Sequence, residues 1–350
     1  MVGSAPSLYD DMKKDTGDTP SATLHEVARE AGVSSATVSR FLNGTSKVSD
    51  AKRKSIENVI EKLNYKPNML AKSLKMGSSR TIGVLTQSLI SGFFNEAIAG
   101  LDGAMKAAGY APLIVTGHWD ATEEAERIEL LIGRRVDGIV ILTRSVSDAQ
   151  VLEFSSRIPI VAYGRKLEGK NVCGFSLDNY KASCEAVEYL IGQGHRNIAF
   201  IAGPPDQQDA LDRLAGYRDT LSRHKITVHP QLIVPGDFQE SGGVLAVNQL
   251  LETGQRFSAI FAGNDLTAYG ARLALYRRGI RVPDDISIIG FDDLHSSMCS
   301  TPPLTTVRQP LFDVGTLIGE ILLKMIKQQP VSFEIPPLTL MLRESVRRLV

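Results

Sequence analysis

Residues 35–40 carry side chains that could read the edges of DNA bases. If this stretch is helical, Ser35, Ala36, Ser39 and Arg40 fall on one of its faces. Ser35 and Ala36 are small enough to touch a thymine methyl group, and Ser35 can add one hydrogen bond. Arg40 can donate two hydrogen bonds to guanine or contact a phosphate. The chemistry indicated is recognition of base sequence. The plainer alternatives are that Ala36 only forms part of the helix and that Arg40 is only a solvated charge.

Two short helices joined by a glycine turn would position these side chains. Gly32 can adopt the left-handed conformation of such a turn, and Ser34 can accept a backbone N–H where the second helix begins. A third helix is predicted over residues 50–63. The apolar residues of the first two helices recur at near-helical spacing: Leu24, Val27, Ala28 and Val33, then Val38, Phe41 and Leu42. This is the pattern of a helix-turn-helix, although a helical hairpin that binds nothing would also show it.

The composition is that of a globular protein with two or three structural units. The chain has 350 residues, of which 43% are hydrophobic and 22% are charged. No apolar run reaches the ~18 residues of a membrane span, and residues 1–22 have the polar composition of a disordered tail rather than of a secretory signal. Cys173, Cys184 and Cys299 lack CxxC spacing. We therefore expect a reduced, cytoplasmic protein with no disulfide, no metal site and no cofactor.

The net charge is zero, but it is distributed unevenly. Residues 21–80 hold eleven Lys and Arg against five Asp and Glu, a net charge of +6, whereas residues 1–20 have −2 and residues 81–350 have −4. A basic head on a mildly acidic body fits a protein that contacts phosphates with one end only.

Residues 81–350 predict an α/β domain. Apolar runs alternate with helical patterns in two series of similar length, each of which would form a parallel sheet covered by helices. The runs are TIGVLT, APLIVTG, GIVILT and IPIVAYG in the first series, and NIAFIAG, QLIVPG, FSAIFAG and DISIIGFDD in the second. Ligands of such sheets bind beyond the carboxyl ends of the strands, so we expect a cleft between two lobes.

Three polar residues of the second series follow apolar runs, where strand ends would converge. Arg213 offers a guanidinium with five donors, Asp292 offers acceptors and Asn264 offers both, a set suited to a polyhydroxylated or acidic molecule. A surface ion pair is the plainer alternative for Arg213. The chain has no phosphate-binding loop, no nucleophile elbow and no HExxH motif, so we do not expect an enzyme, although Asp292 and Asp293 could form a catalytic pair.

Head and body together resemble the lactose/galactose repressor (LacI/GalR) family. The matching stretches are TLHEVAREAGVSSATVSRFLN and LNYKPNMLAKSLK, then VDGIVIL, HRNIAFIAGP, DRLAGYRDTL, AIFAGNDLTAYGA, ISIIGFDD and PPLTTVRQP, in the family's order. The resemblance implies a small all-α helix-turn-helix head and a two-lobed, periplasmic-binding-protein-like α/β effector domain with parallel sheets. Its first lobe would take residues 81–178 and a return near 309–337, and its second residues 179–308 and the C-terminal strand.

The resemblance also implies which residues bind DNA. In the family a short hinge helix forms on operator DNA, and the leucine that Leu74 matches is inserted into the minor groove. An inter-domain linker with an incidental leucine is the alternative. The DNA-binding residues implied are Thr23, Ser34, Ser35, Ala36, Thr37, Ser39, Arg40, Asn43, Asn68, Ala71 and Leu74.

A second set of residues is implied to bind a small-molecule effector. In several sugar-responsive members an aspartate stands at the position of Gly164, and here Arg165 follows that glycine. With Arg213, Arg165 could favour an anionic effector, unless it points to solvent, and the two phenylalanines of the set could instead belong to the core. The effector-binding residues implied are Phe93, Phe94, Arg165, Arg213, Asn264 and Asp292.

We therefore expect four segments. These are a disordered tail at 1–22, a DNA-binding head at 23–66, a hinge helix and linker at 67–80, and a two-lobed effector-binding and dimerisation domain at 81–350. The function expected is that of a homodimeric transcriptional repressor that binds palindromic operator DNA under the control of a sugar, sugar acid or sugar phosphate, without a membrane partner. The alternative is a sugar-binding or sugar-modifying α/β protein with an unrelated helical head.

Overall fold

The computed structural model describes residues 22–42, 48–66, 77–89 and 92–349. The chain divides into two compact units, Met1–Ser79 and Arg80–Val350. Several predicted features lie outside the described residues, namely nearly all of the tail, the DNA-binding residue Asn43, and the hinge residues Asn68, Ala71 and Leu74.

The described part of the first unit is a bundle of three helices. They are α1 (Leu24–Glu30), α2 (Ser35–Leu42) and α3 (Asp50–Lys62), as the apolar spacing predicted. The Ser55 hydroxyl on α3 donates to the Ala31 carbonyl at the end of α1 over 3.2 Å. All three helices contribute to one small core, whose buried residues are Val27, Ala28, Ala31, Val38, Ile56 and Tyr65. Because the helices share this core, the turn between α1 and α2 is held in one geometry.

The second unit contains a β-sheet in each of two lobes. The strands of the first lobe are β1 (Thr81–Thr86), β2 (Ala111–Thr116), β3 (Ile139–Ile141), β4 (Ile160–Tyr163), β5 (Glu168–Gly169) and β6 (Val172–Phe175). The strands of the second lobe are β7 (Ile198–Ile201), β8 (Ile233–Val234), β9 (Ala259–Ala262), β10 (Ser287–Asp292), β11 (Thr305–Arg308) and β12 (Thr339–Met341).

The two sheets have closely similar topologies. Their strand orders are β2-β1-β3-β4-β6-β5 and β12-β11-β10-β9-β7-β8. Within the described residues, neighbouring strands pair in parallel except β5 with β6 and β12 with β11, which are antiparallel. The predicted two-lobed α/β body is therefore confirmed. The strands β5, β6, β11 and β12 lie outside the apolar runs that were predicted to be strands.

Helices cover the sheets on the way from one strand to the next. They are α4 (Gly92–Ala107), α5 (Ala121–Gly133), α6 (Asp148–Ser155), α7 (Asn179–Gly192), α8 (Gln208–Arg223), α9 (Glu240–Glu252), α10 (Asp265–Arg277), α11 (His295–Cys299) and α12 (Leu311–Ile326), with a 3-10 turn at Pro230–Leu232. Among the residues described, no helix is both long and apolar enough to cross a bilayer.

The chain crosses between the lobes more than once, and α12 returns to the first lobe. Val314 and Ile318 on α12 share a buried core with Ile82 and Leu101 of the first lobe. The helices α4 and α12 approach so closely that a Cβ atom on Gly315 would overlap the Ala97 carbonyl. A larger residue at that position would force the helices apart, so the glycine is needed for the return that the resemblance implied.

Candidate functional sites

The turn that leads into α2 is fixed by local hydrogen bonds. Thr23 caps α1 through a capping box, in which its hydroxyl accepts from the Glu26 N–H and the Glu26 carboxylate accepts from the Thr23 N–H over 2.7 Å. The carboxylate also accepts from the Thr23 hydroxyl over 3.0 Å, and the backbone and hydroxyl hydrogen bonds that it accepts lower the pKa of Glu26. Gly32 has φ +65°, the left-handed conformation expected of it. The hydroxyl of Ser34 accepts from the Thr37 N–H over 3.2 Å and so caps α2.

The outer face of α2 carries the predicted base-reading residues in an accessible position. Ser34, Ala36 and Arg40 are exposed, and the three other predicted residues on the helix, Ser35, Thr37 and Ser39, are half-buried. Arg40 directs its Nε to the Ala36 carbonyl over 3.2 Å, which holds the side chain along the helix.

Ser35 has a neighbour that the sequence did not indicate. Its hydroxyl lies 3.0 Å from Nδ1 of His25 on α1, and the histidine is itself exposed. A lone histidine near a helix N-terminus has no sequence signature, so only the packing of α1 against α2 identifies it as part of this surface.

In the second unit, a cleft lies at the carboxyl ends of the strands and is lined by residues of both lobes. The first lobe contributes Gln87, Phe93, Phe94, Trp119, Leu142, Arg144, Tyr163 and Gly164. The second lobe contributes Gln207, Asp209, Arg213, Phe238, Gln239, Asn264, Leu266, Asp292 and Leu294. Five of the six predicted effector residues therefore meet in one cleft, and Arg165 is the exception.

Arg213 is the most enclosed of these side chains. It lies on the second turn of α8 rather than directly at a strand end, and its side chain is only 4% exposed. Its guanidinium donates to the Asn179 side chain over 2.9 Å and to the Gly263 carbonyl over 2.6 Å. The same group lies 3.7 Å from the centre of the Phe291 ring. These contacts fix the plane of the guanidinium, so it is preorganised rather than mobile.

Asn264 caps a helix and also lines the cleft. It is the N-cap of α10, where its Oδ1 accepts from the Thr267 N–H over 2.9 Å. Its Nδ2 donates to the Phe238 carbonyl over 3.0 Å. The amide is thus oriented on two sides while its residue lines the cleft.

Asp292 ends β10 with a backbone φ of +121°, which is rare outside glycine and turns the carboxylate into the cleft. Gln309 donates to Asp292 Oδ1 over 2.7 Å, and Arg213 Nη1 lies 3.9 Å from the same oxygen. Burial raises the pKa of Asp292 to about 8, although Arg213 acts in the opposite direction. A ligand that donates hydrogen bonds or carries positive charge would favour the ionised form of this carboxyl.

The first lobe presents aromatic rings to the cleft. Phe93 and Phe94 begin α4, and their ring centres lie 4.8 Å apart in an edge-to-face arrangement. Phe94 contacts Tyr163 in the same way at 6.4 Å, and the Tyr163 hydroxyl donates to the Gln309 side chain over 3.2 Å. The two predicted phenylalanines therefore belong both to the cleft surface and to the aromatic cluster behind it.

Arg165 does not line the cleft. Its guanidinium is buried among backbone and acidic groups of its own lobe, donating to the Thr143 carbonyl over 3.0 Å and to the Val146 carbonyl and the Asp148 carboxylate over 2.9 Å each. The expectation that Arg165 contacts the effector is therefore wrong as a matter of placement. The physical reason is that its Nη1 and Nη2 donors hold the segment between β3 and α6.

Arg144 in that same segment lies in the cleft instead. Its Nη1 donates to the Gly164 carbonyl, and the same nitrogen lies 3.5 Å from Asp209 Oδ1 on the opposite lobe. Sequence reasoning passed over both residues, because an arginine in a loop and an aspartate at a helix start are common on any surface.

Two family models match the chain in the two units. The model described as bacterial regulatory proteins of the lacI family matches residues 23–68, and that of the periplasmic binding protein-like domain matches residues 187–346. The first covers the three-helix head and the second covers most of the second lobe with its return.

Similar proteins match over nearly the whole chain. The HTH-type transcriptional repressor PurR of Vibrio atlanticus is 34% identical over 88% of this chain and 93% of its own length, and the HTH-type repressor CytR of Escherichia coli is 36% identical over 89% and 92%. Among solved structures, the lac repressor dimer bound to operator and an anti-inducer has a TM-score of 0.84 at 29% identity. The match covers 93% of this chain and 99% of the lac repressor chain. A transcriptional regulator CelR–cellobiose complex has a TM-score of 0.69 at 31% identity, with the same coverage of both chains. The chain belongs to the lacI family of bacterial regulatory proteins.

Proposed function

We propose that this protein is a DNA-binding transcriptional repressor whose affinity for a palindromic operator is set by a small metabolite in the cleft. The observation that carries the proposal is the exposed face of α2, with Ser34, Ala36 and Arg40 outward beyond a capped, left-handed turn. That arrangement lets a helix enter the major groove, and the +6 charge of residues 21–80 supplies the attraction to phosphates.

The DNA-binding set extends beyond the described residues. We propose that Thr23, Ser34, Ser35, Thr37, Ser39, Asn43, Asn68 and Ala71 support the readout through phosphate and groove contacts, and that Leu74 is inserted into the minor groove. We likewise propose segment boundaries of 23–66 for the head, 67–80 for the hinge and 81–350 for the effector-binding and dimerisation domain.

In the cleft, Arg213, Asn264 and Asp292 would bind polar groups of the effector, and Phe93 and Phe94 would pack on its apolar face. Donors and acceptors on one side with aromatic rings on the other are the surroundings that sugars require. Sugars occur in structures of relatives, since CelR is described with cellobiose and a regulator from Enterococcus faecium with ribose. A sugar or a sugar derivative is therefore the effector class that we propose.

Selection from a random duplex library tests the DNA-binding part of this proposal. We expect an enriched palindrome, because a two-fold symmetric dimer presents two copies of α2. Fluorescence anisotropy on that duplex should give an affinity whose logarithm falls linearly with the logarithm of salt concentration. Equal affinity for the enriched duplex and for shuffled DNA of the same composition would overturn the assignment.

A further inference from the structure

The two sides of the cleft differ in charge. Among the described lining residues, the first-lobe side has one charged side chain, Arg144, whereas the second-lobe side has Arg213, Asp209 and Asp292. Arg213 and Asp292 are buried together, with Arg213 Nη1 3.9 Å from Asp292 Oδ1. Arg144 and Asp209 remain as a pair that faces across the cleft.

That pair is a loose one. The Arg144 Nη1 to Asp209 Oδ1 distance is 3.5 Å, longer than the roughly 2.7–2.9 Å of a strong charge-assisted hydrogen bond. Both side chains remain accessible, at 28% and 29% exposure. The hydrogen bonds of Arg144 among the described residues run through Nη1, so Nε and Nη2 can donate to a ligand.

The Arg144 side chain packs over the backbone of residue 164. Gly164 has φ +81°, and a Cβ atom placed on it would lie 3.5 Å from both Cδ and Nη1 of Arg144. Arg144 therefore lies over the glycine, in the space that a side chain at residue 164 would extend into. Directly after β4, the surface of the cleft is therefore formed by a guanidinium from the neighbouring loop.

The loop that carries Arg144 is held on both sides. Arg165 donates to the carbonyls of Thr143 and Val146, and the buried Glu124 carboxylate accepts from the Val146 N–H over 2.8 Å. Since the residues on either side of Arg144 are fixed, the guanidinium is presented to the cleft at a small entropic cost on binding.

We infer that Arg144 is the subsite for an anionic group of the effector, a phosphate or a carboxylate, which takes the place of Asp209 as its partner. The inference rests on the proposed function of the cleft as the effector site. An oxyanion can accept two parallel hydrogen bonds from a guanidinium, which the distant Asp209 does not do. Once such a group is bound, Asp209 is repelled by it, and the ligand replaces the ion pair as the link between the lobes.

The protein contains its own reporter for this event. Trp119 is the only tryptophan in the sequence, and it lines the same cleft with 52% of its surface exposed. Its fluorescence can be followed while inorganic phosphate, or acetate as the carboxylate probe, is titrated against chloride at constant ionic strength. We expect a saturable change with at least one of the two anions and none with chloride, and the arm that responds identifies the anionic group.

Two variants make the test specific. Arg144→Gln removes the charge and should weaken anion binding at least about tenfold, as loss of a charged hydrogen bond would. Asp209→Asn removes the competing carboxylate and should strengthen binding severalfold. Urea unfolding checks that both variants are folded, which the partial exposure of both side chains favours.

The outcomes separate this inference from the proposed function. Saturable anion binding that weakens in Arg144→Gln supports the subsite, even if no ligand alters operator affinity. The subsite is refuted if neither anion gives a saturable response, or if Arg144→Gln and the parent protein respond equally. If operator affinity still changes when a neutral sugar is added, the proposed function remains intact.

Discussion

The side chains proposed to bind DNA in the head and those proposed to bind the effector in the cleft lie in opposite environments. In the head, the predicted contacts Ser34 before α2 and Ala36 and Arg40 on it are exposed. In the cleft, Arg213 and Asp292 have side chains that are only 4% and 5% exposed. A groove of DNA can be reached by residues that project from a surface, whereas a small molecule must be enclosed to be bound. The difference teaches what substitutions should do in each region. In the head they should change DNA affinity with little change in the free energy of unfolding, whereas in the cleft they should change ligand affinity and the free energy of unfolding together.

The largest expected effect is that of Arg213→Met. It removes the donors to Asn179 and Gly263 and leaves Asp292 without its buried cation, so we expect the free energy of unfolding to fall by about 3–5 kcal/mol along with loss of effector binding. Urea unfolding measures the first effect and calorimetry the second. An unfolding free energy within about 0.5 kcal/mol of the parent value, the range of ordinary surface substitutions, would show that the guanidinium is not structural.

Arg40→Ala should change DNA binding without changing stability. We expect it to weaken binding to the selected operator by ~1–3 kcal/mol relative to random DNA, because a bidentate base contact is lost, with little change in unfolding free energy. Anisotropy on both duplexes measures this ratio. Arg53→Ala, which removes an exposed cation from α3, is the matched control and should lower both affinities equally if it lowers either. A constant ratio in Arg40→Ala would remove Arg40 from the base contacts.

Substitutions of Asn264 can separate its helix-capping role from its proposed role in effector binding. Asn264→Ala removes the cap of α10 and should cost about 1 kcal/mol of stability, whereas Asn264→Ser keeps a capping oxygen and should restore most of it. Neither variant retains the amide, so both should bind the effector weakly in calorimetry. If Asn264→Ser recovered effector affinity together with stability, the amide would have no binding role of its own.

The last expected effect is a change in the pH dependence of stability. The pKa of Asp292 is raised from its ordinary value of 3.8 to about 8, so the folded protein binds a proton that the unfolded chain releases between those pH values. The unfolding free energy should therefore fall as pH rises through this window, and should fall less in Asp292→Asn. The pKa of Asp265 is also raised, to about 6, and this residue is present in both proteins, so part of the fall should persist in Asp292→Asn. Parallel stability profiles from pH 5 to 8 would contradict the burial effect.

The head could be predicted closely from sequence because its structure is set by local rules. Gly32 and Ser34 are residue types with strong conformational preferences, and both were found in the expected conformations. The body was predicted as alternating apolar runs and helices. Short or irregular strands were not predicted. An example is β5 (Glu168–Gly169), because two residues carry no periodicity.

The cleft was harder to predict because side-chain direction depends on the neighbouring loops. Arg165 follows a strand, as cleft residues were expected to, yet its guanidinium turns inward to bind the Thr143 and Val146 carbonyls. Arg144 has no distinctive context in the sequence, and only the structure shows that it lies over Gly164 and lines the cleft. Arg213 was identified, but on a helix rather than at a strand end.

The central claim is that the cleft and the operator are energetically coupled within one chain. The most direct test is to measure operator affinity by anisotropy at increasing concentrations of a ligand known to bind the cleft, and ligand affinity by calorimetry with and without saturating operator. Linkage requires the two affinities to change by the same factor, which we expect to fall in the range of about 5–150. An operator affinity that does not change when the cleft is saturated would contradict the account.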